Sequence, residues 1–348
     1  MKIAVVSSTV FAVGAGGSAL PGYGGLEIIA WQQAKGLAER GHAVTLFAPD
    51  GSSCPGCTVF PFGPAGQTDE KTAYGKYWQR LAEVECTIDH SWQKWCTVGQ
   101  QEGWLKCPVL KWCHAPVNTM FQRLPEGIDK PCFVCISNDQ QAHFEALFGR
   151  PCRRCYNGVD ESFYAPLGVP RSNRYLFLAR FSRVKSPDMA IAAAQSAGAG
   201  LDLVGDVVLT GEPEYLEECR RRCDGKQVRM VGPASRGECV HWFAQAQALL
   251  HPVHSFREPF GLTLVEAQAA QCPVIGWRYG AVPELVRHGE TGFVVSTLAE
   301  MVELIKTDAV RSIDRQRCRA WVCDNFTVRH MVDRVEELCR EAVETGGW

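Results

Sequence analysis

Between residues 174 and 295 the chain alternates short continuous apolar runs with amphipathic stretches of helical length, and this rhythm restricts the fold more than any other feature. YLFLAR (175–180) precedes a helical stretch from Pro187, LDLVG (201–205) precedes EPEYLEECRRRC, and VRMVG (228–232) precedes ECVHWFAQAQ. ALLHPV (248–253) precedes a helix from Gly261, and PVIGW (273–277) and GFVVS (292–296) follow as strands. Runs apolar on both faces and alternating with helices predict a parallel sheet covered on both sides.

The first half carries the same rhythm less evenly. Ile3 to Val6 reads as a buried strand opening into a loop with Gly14, Gly16, Gly17, Gly22, Gly24 and Gly25. Leu26, Ile29, Ala30, Gln33 and Leu37 then recur at helical spacing, Gly41 closes that helix, and AVTLFAP (43–49) is the next strand. Residues 52–80 predict a long loop before an amphipathic stretch at 76–86; PVLKWCH (108–114) and FVCIS (133–137) are further strands. The expected fold class is α/β: two doubly wound parallel-sheet domains, 1–168 and 169–326, jointed at Pro166–Pro170 and facing a cleft. A last helical segment, 327–348, is expected to cross back to the first domain.

Charge and composition exclude several classes of function. Of 36 basic and 38 acidic residues, 14 and 15 precede residue 170, so both halves are nearly neutral. A nucleic-acid binder or polybasic membrane docker would show a basic half, so small neutral partners are expected. No stretch reaches the 18 or more apolar residues of a membrane span. Lys2 followed by IAVVSSTVFAVGAGGSA imitates a signal peptide, against the reading as first strand plus glycine loop. Seventeen cysteines in so long a chain point to a reducing, cytoplasmic setting. Cys132, Cys135, Cys152 and Cys155 have a zinc-like spacing, but residues three apart on a strand face opposite sides, so buried thiols are the preferred reading over metal. Cys54-Pro-Gly-Cys57 is a weak redox motif.

The chemistry concentrates at residues 258–266, where two carboxylates, Glu258 and Glu266, flank a loop-to-helix junction. Pro259 and Gly261 turn the chain into the helix, leaving the amides of Leu262 and Thr263 at its positive end, where a phosphate belongs. Arg180 and Lys185, after the strand YLFLAR, add a guanidinium fork and a point charge at the same sheet edge. The glycine-rich loop permits close backbone approach to a diphosphate. Taken singly, each feature has a plainer explanation: acids at helix starts, solvated cations, and a His114 satisfied in the core.

Taken together and in order, GYGGLEIIAW, LAERGHAVTLFAPDGS, His114, YNGVDESFY, ARFSRVKSPD and EPFGLTLVEAQAAQCPVIGWRYGAVPELVRHGETGFVV resemble glycosyltransferase family 4, retaining enzymes of the two-Rossmann GT-B fold. The resemblance makes residues 3–25 first strand plus diphosphate loop. It implies an acceptor-binding first domain and a second domain binding a nucleoside-diphosphate sugar, with UDP favoured by family frequency. It also implies that Arg180 and Lys185 neutralise the departing diphosphate, Glu266 holds the ribose, and Glu258 and His114 contact the donor sugar. Phe260, Gly261, Leu262 and Thr263 match the backbone that binds sugar and phosphate, and Gly24 and Gly25 the loop beneath the diphosphate. His90 is read as structural. Gln271-Cys272-Pro273 departs from the family, which has a glycine and a small residue before the proline; altered packing is expected there. No paired acids stand beside a strand end, so neither metal nor another cofactor is expected. Tyr74, Tyr77, Trp78, Trp92, Trp95, Trp104, Trp112 and Phe121 could form an acceptor platform, several of them equally being core. A soluble saccharide or small molecule is the expected acceptor. A sugar-nucleotide epimerase or hydrolase of the same fold, and a non-catalytic sugar-nucleotide binder, remain as alternatives.

Overall fold

The computed structural model describes residues 1–14, 19–20, 24–120, 131–207 and 212–348; Gly16, Gly17, Gly22 and Phe121 lie outside them. The chain divides into two compact units, Met1–Gly158 with Val328–Trp348, and Val159–Thr327.

In the first unit β1 (Lys2–Val6) is followed by an antiparallel ribbon, β2 (Ala12–Val13) and β3 (Ala19–Leu20). Then come β4 (Ala43–Ala48), β5 (Thr58–Pro61), β6 (Cys86–Asp89), β7 (Val109–Trp112), β8 (Cys132–Cys135) and β9 (Arg153–Arg154). Outside the ribbon they form one parallel sheet in the order β5-β4-β1-β6-β7-β8-β9. Lys2–Val6 is thus a central strand, wholly apolar and buried from Ile3 onward. Helix α1 (Gly25–Glu39) buries Leu26, Ile29, Ala30, Gln33 and Leu37, the residues whose spacing predicts it.

Residues 52–80 are not the long loop their glycines and prolines suggest. They hold the edge strand β5, where Pro61 is tolerated because only one neighbour pairs with it, and helix α2 (Glu70–Tyr77), started by Asp69 accepting from the Thr72 amide at 3.0 Å. Helices α3 (Trp95–Gln101), α4 (Val117–Met120) and α5 (Asn138–Phe148) complete the crossovers of this unit.

The second unit contains β10 (Arg174–Leu178), β11 (Gly200–Val204), β12 (Val228–Gly232), β13 (Leu249–His251), β14 (Val274–Trp277) and β15 (Gly292–Val295), all parallel, in the order β12-β11-β10-β13-β14-β15. Helices α6 (Pro187–Ala197), α7 (Pro213–Arg221), α8 (Arg236–Gln245), α9 (Leu262–Ala269), α10 (Val282–Leu285) and α11 (Leu298–Lys306) alternate with them, and α12 (Arg315–Asn325) closes the unit. Strand order reverses between β1 and β6 in the first sheet and between β10 and β13 in the second, and ligands of open α/β sheets bind at the carboxyl ends beside such reversals.

The units part at Gly158/Val159, ten residues before the 168/169 boundary that the composition of Pro166–Pro170 suggests. Residues 160–164 are packed into the second unit: Tyr164 is completely buried, and Arg319 donates to the carbonyls of Glu161 and Tyr164. At the other junction Val159 pairs with Thr327 and its amide donates to Phe326. The final helix α13 (Val328–Thr345) belongs to the first unit. It lies so close to α1 that a Cβ at Gly36 would come within 2.5 Å of Val332, and Arg40 bridges Asp333 and Glu336 at its side.

Candidate active site

The reversal in the second sheet gathers the residues of the E-x7-E segment. Arg180 follows β10 and is exposed, and Lys185 stands in the short 3-10 turn before α6. His251 ends β13, and Glu258 lies in the loop between β13 and α9. Glu258 is 8% exposed, and its carboxylate accepts from the ammonium of Lys185. Burial works against its ionisation, but the Lys185 ammonium, with Arg180 adding, outweighs it and holds the carboxyl below the usual range. His251 is driven the other way: burial presses it down to about 4, so it is an uncharged ring at neutral pH.

Two glycines shape this loop. Gly261 caps α9 with φ +93°, and a side chain there would meet Leu264 at 2.9 Å. Gly280, at φ +60°, presses onto the backbone of Glu258, where a Cβ would lie 2.4 Å from the Glu258 carbonyl oxygen; the Ala281 amide donates to that same oxygen at 3.0 Å. Sequence reasoning did not single out Gly280, whose role arises from contact between two distant loops. The amides of Leu262 and Thr263 at the start of α9 donate to no described residue, and Phe260 beside them is buried.

Glu266, just over one turn into α9, is almost fully buried and accepts from the Tyr164 hydroxyl at 2.7 Å, while Arg236 donates to the same hydroxyl at 3.3 Å. Burial, with the Glu266 charge adding, raises the phenol far above its ordinary pKa, so it stays a donor. Tyr164 is therefore a partner of Glu266, itself held by Arg236, that the neighbourhood of Glu266 in sequence does not reveal.

In the first unit Gly24 precedes α1 and packs so tightly that a Cβ would come within 2.4 Å of the Glu27 carboxylate. Gly25 opens the helix, and Glu27 is bonded by Ser8 from the end of β1. His114 follows β7 and His90 follows β6; the two rings are hydrogen-bonded at 2.8 Å, so His90 is a partner of His114 as well as a buried residue. Beneath them Lys111 and Asp89 form a buried ion pair at 3.1 Å. Of the aromatic residues expected as a platform, Tyr74, Tyr77 and Trp112 are core, Trp78 and Trp95 pack against it, and Trp92 and Trp104 are 49% and 39% exposed. Cys135 and Cys152 face each other at 3.5 Å, whereas Cys155 is bonded to the Met331 carbonyl. Among the described residues no group of three or more His, Cys, Asp or Glu is placed to hold a metal ion.

The sequence matches the family described as Glycosyltransferase Family 4 over residues 23–163 and that described as Glycosyl transferases group 1 over residues 162–317, which leaves only the two ends unmatched. The chain belongs to glycosyltransferase family 4. Among the relatives of this glycosyltransferase is a D-inositol 3-phosphate glycosyltransferase from Thermobifida fusca, 28% identical over 78% of this chain and 77% of that protein. A second such enzyme, from Catenulispora acidiphila, is 30% identical, with 58% of this chain and 55% of that protein covered. A Mycobacterium tuberculosis protein named as a GDP-mannose-dependent phosphatidylinositol monomannoside mannosyltransferase is 28% identical over 64% of this chain and 61% of its own. Solved structures confirm the fold as GT-B. AviGT4, a glycosyltransferase involved in avilamycin A biosynthesis, superposes with TM-score 0.75 at 24% identity, covering 99% of this chain and 98% of its own. Anabaena Alr3699/HepE, solved with UDP and glucose, gives 0.74 at 21%, covering 97% and 98%.

Proposed function

We propose that this glycosyltransferase is a retaining enzyme that moves a hexose from a UDP-sugar to a hydroxyl of a soluble saccharide or small-molecule acceptor, using neither a divalent metal nor another cofactor. The observation that carries the reading is the buried Lys185–Glu258 pair, with Arg180 beside it and the amide end of α9 adjoining, at the strand reversal of the second sheet. Breaking a sugar–phosphate bond places growing negative charge on the departing diphosphate, and fixed cations and amides stabilise that charge more than the ground state. In this reading Arg180, Lys185, Gly261, Leu262 and Thr263 take the diphosphate, Glu266 takes the ribose hydroxyls, and Glu258 and Phe260 face the sugar. Gly24 and Gly25 take phosphate from the first unit, and His114 meets a sugar hydroxyl.

A carboxylate already held by an ammonium is a poor nucleophile, which argues against a glycosyl-Glu258 intermediate. Retention then follows from attack on the face the diphosphate leaves: the C1–O bond to diphosphate breaks, the acceptor oxygen bonds to C1, and a diphosphate oxygen takes the acceptor proton. The uracil assignment draws on the Anabaena neighbour, solved with UDP-glucose; the guanine named for the mycobacterial relative makes GDP the competing arm of the test. The near-neutral first half and the exposed Trp92 and Trp104 support a soluble, ring-bearing acceptor.

The test is a thermal-shift panel of UDP, GDP, ADP and their hexose conjugates in EDTA, on wild type and Glu266→Ala. A ligand at a hundred times its dissociation constant adds about 2.7 kcal/mol. UDP should stabilise the wild type and not the variant. Stabilisation by GDP alone would replace the base, dependence on added Mg2+ would overturn the metal-free assignment, and no shift with any nucleotide would overturn the donor site.

A further inference from the structure

The first unit holds a hydrogen-bonded relay whose direction can be derived atom by atom. Gln33, completely buried on α1, places its amide nitrogen 3.7 Å from the Met331 sulfur, which only accepts, and its carbonyl oxygen 2.9 Å from His90 Nε2. Reversing the amide would set its oxygen against the Met331 sulfur, two acceptors with no proton between them, and this contact selects the orientation. His90 Nε2 must therefore carry the proton. With His90 completely buried and uncharged, its Nδ1 is bare and accepts from His114 Nε2 at 2.8 Å. The proton on His114 is thereby assigned to Nε2, which leaves Nδ1 as a lone pair, and that nitrogen has no hydrogen-bond partner among the described residues.

The surroundings keep both rings uncharged. Burial presses His114 down to about 3 and His90 well below the usual range, and the Lys111 ammonium adds to both. Among the described residues, the charges set close beneath the pair are those of Lys111 and its partner Asp89. Both histidines stand at carboxyl ends of parallel strands, His90 on a strand at the reversal of the first sheet and His114 on the next one. His114 is only partly covered, whereas His90 and Gln33 are sealed.

We propose that Gln33 and His90 are positioning residues that fix His114 in the tautomer presenting a bare Nδ1, so that His114 recognises a hydroxyl donor of the sugar substrate. An acceptor-only nitrogen pairs with O–H groups and repels phosphate and carbonyl oxygens, which makes this end of the first sheet a reader of sugar hydroxyls. So weak a base accepts a hydrogen bond without removing the proton. The assignment rests on the donor reading above for the identity of the hydroxyl; the tautomer itself rests only on the relay.

The full-length protein labelled with 15N-histidine tests it by long-range 1H–15N correlation at pH 7, with His114→Ala and His90→Phe spectra assigning two of the nine histidines. Wild type should show both rings protonated at Nε2 alone. UDP-glucose should move the His114 Nδ1 resonance in the direction of hydrogen-bond acceptance, and UDP should leave it in place. Gln33→Met, which keeps the volume and removes the acceptor, should bring up a second His114 tautomer and lower kcat/KM about tenfold, one hydrogen bond's worth, with UDP affinity unchanged. His114 protonated at Nδ1 overturns the relay. The stated tautomer with a resonance indifferent to UDP-glucose overturns hydroxyl recognition. Failure of the donor site itself shows separately, as loss of the UDP thermal shift that Glu266→Ala is designed to remove.

Discussion

Replacing Lys185 by methionine removes the ammonium while keeping most of the side-chain volume, and leaves the Glu258 carboxylate buried without its main partner. The two side chains are 16% and 10% exposed, so water replaces the lost interaction only in part. Breaking a buried pair from one side costs about 3–5 kcal/mol, and the residual exposure puts this case near the lower end, about 3 kcal/mol. For a unit the size of Val159–Thr327 that is about 6–12 °C in Tm. The pH dependence gives a sharper signature. In the wild type Glu258 is held below its ordinary 4.5, so its contribution is present above that pH and is lost on acidification. In the variant burial acts without the ammonium and the folded pKa rises above 4.5; such a group adds stability as pH falls. The deficit should therefore shrink between pH 7 and pH 5, and Lys185→Met/Glu258→Gln should recover most of it. Urea melts of the three proteins at both pH values measure this. A deficit under about 1 kcal/mol, or one equal at both pH values, would refute the claim that the pair is a buried electrostatic unit.

Three further outcomes are expected. Tyr164→Phe deletes the hydroxyl that donates to Glu266; if Glu266 grips the ribose, the variant should lose about fivefold in preference for UDP over 2′-deoxy-UDP, and competition binding that finds both nucleotides weakened equally would make Tyr164 merely structural. Gln271 sits at φ +62°, where glycine is unstrained, and Gln271→Gly should stabilise the protein by about 0.5–1 kcal/mol, read as a Tm rise of about 1–4 °C. His90 and His114 take up protons in the unfolded chain near pH 6.5 but not in the folded one, so stability should fall between pH 7 and pH 5 by about 2 kcal/mol for each. Glu27 and Glu70, whose carboxyls burial raises, act in the opposite sense closer to their own range. Unfolding free energies flat across that window would contradict the uncharged assignment of both rings.

The order of strands and helices was legible because its causes are local. Apolar runs of four or five residues, an α1 stripe at helical spacing, and turns at Gly41 and Gly261 are each read within a few neighbours. The segment from Glu258 to Glu266 was legible for the same reason, since a turn into a helix start makes its amides available whatever surrounds it. Local cues also misled: the glycines and prolines of residues 52–80 hid β5 and α2, which pairing with β4 and the Asp69 cap sustain. Composition likewise put the joint at Pro166–Pro170, where burial of Tyr164 moves it back to Gly158.

The α/β class, the family and the residue types at strand ends follow from the chain read residue by residue. Which of those residues meet follows from packing. Lys185 holds Glu258 across 73 positions, Tyr164 reaches Glu266 across 102, and His90 joins Gln33 to His114 across 57 and 24. Gly280 presses on Glu258 although nothing in its own neighbourhood predicts that contact. The reason is that a side chain's charge and protonation depend on its partners and its distance from water, and both are set by which strands lie side by side at the two reversals. Hydrophobic periodicity specifies that a strand is buried; adjacency in the sheet, a property of the whole chain, specifies what its carboxyl end can do.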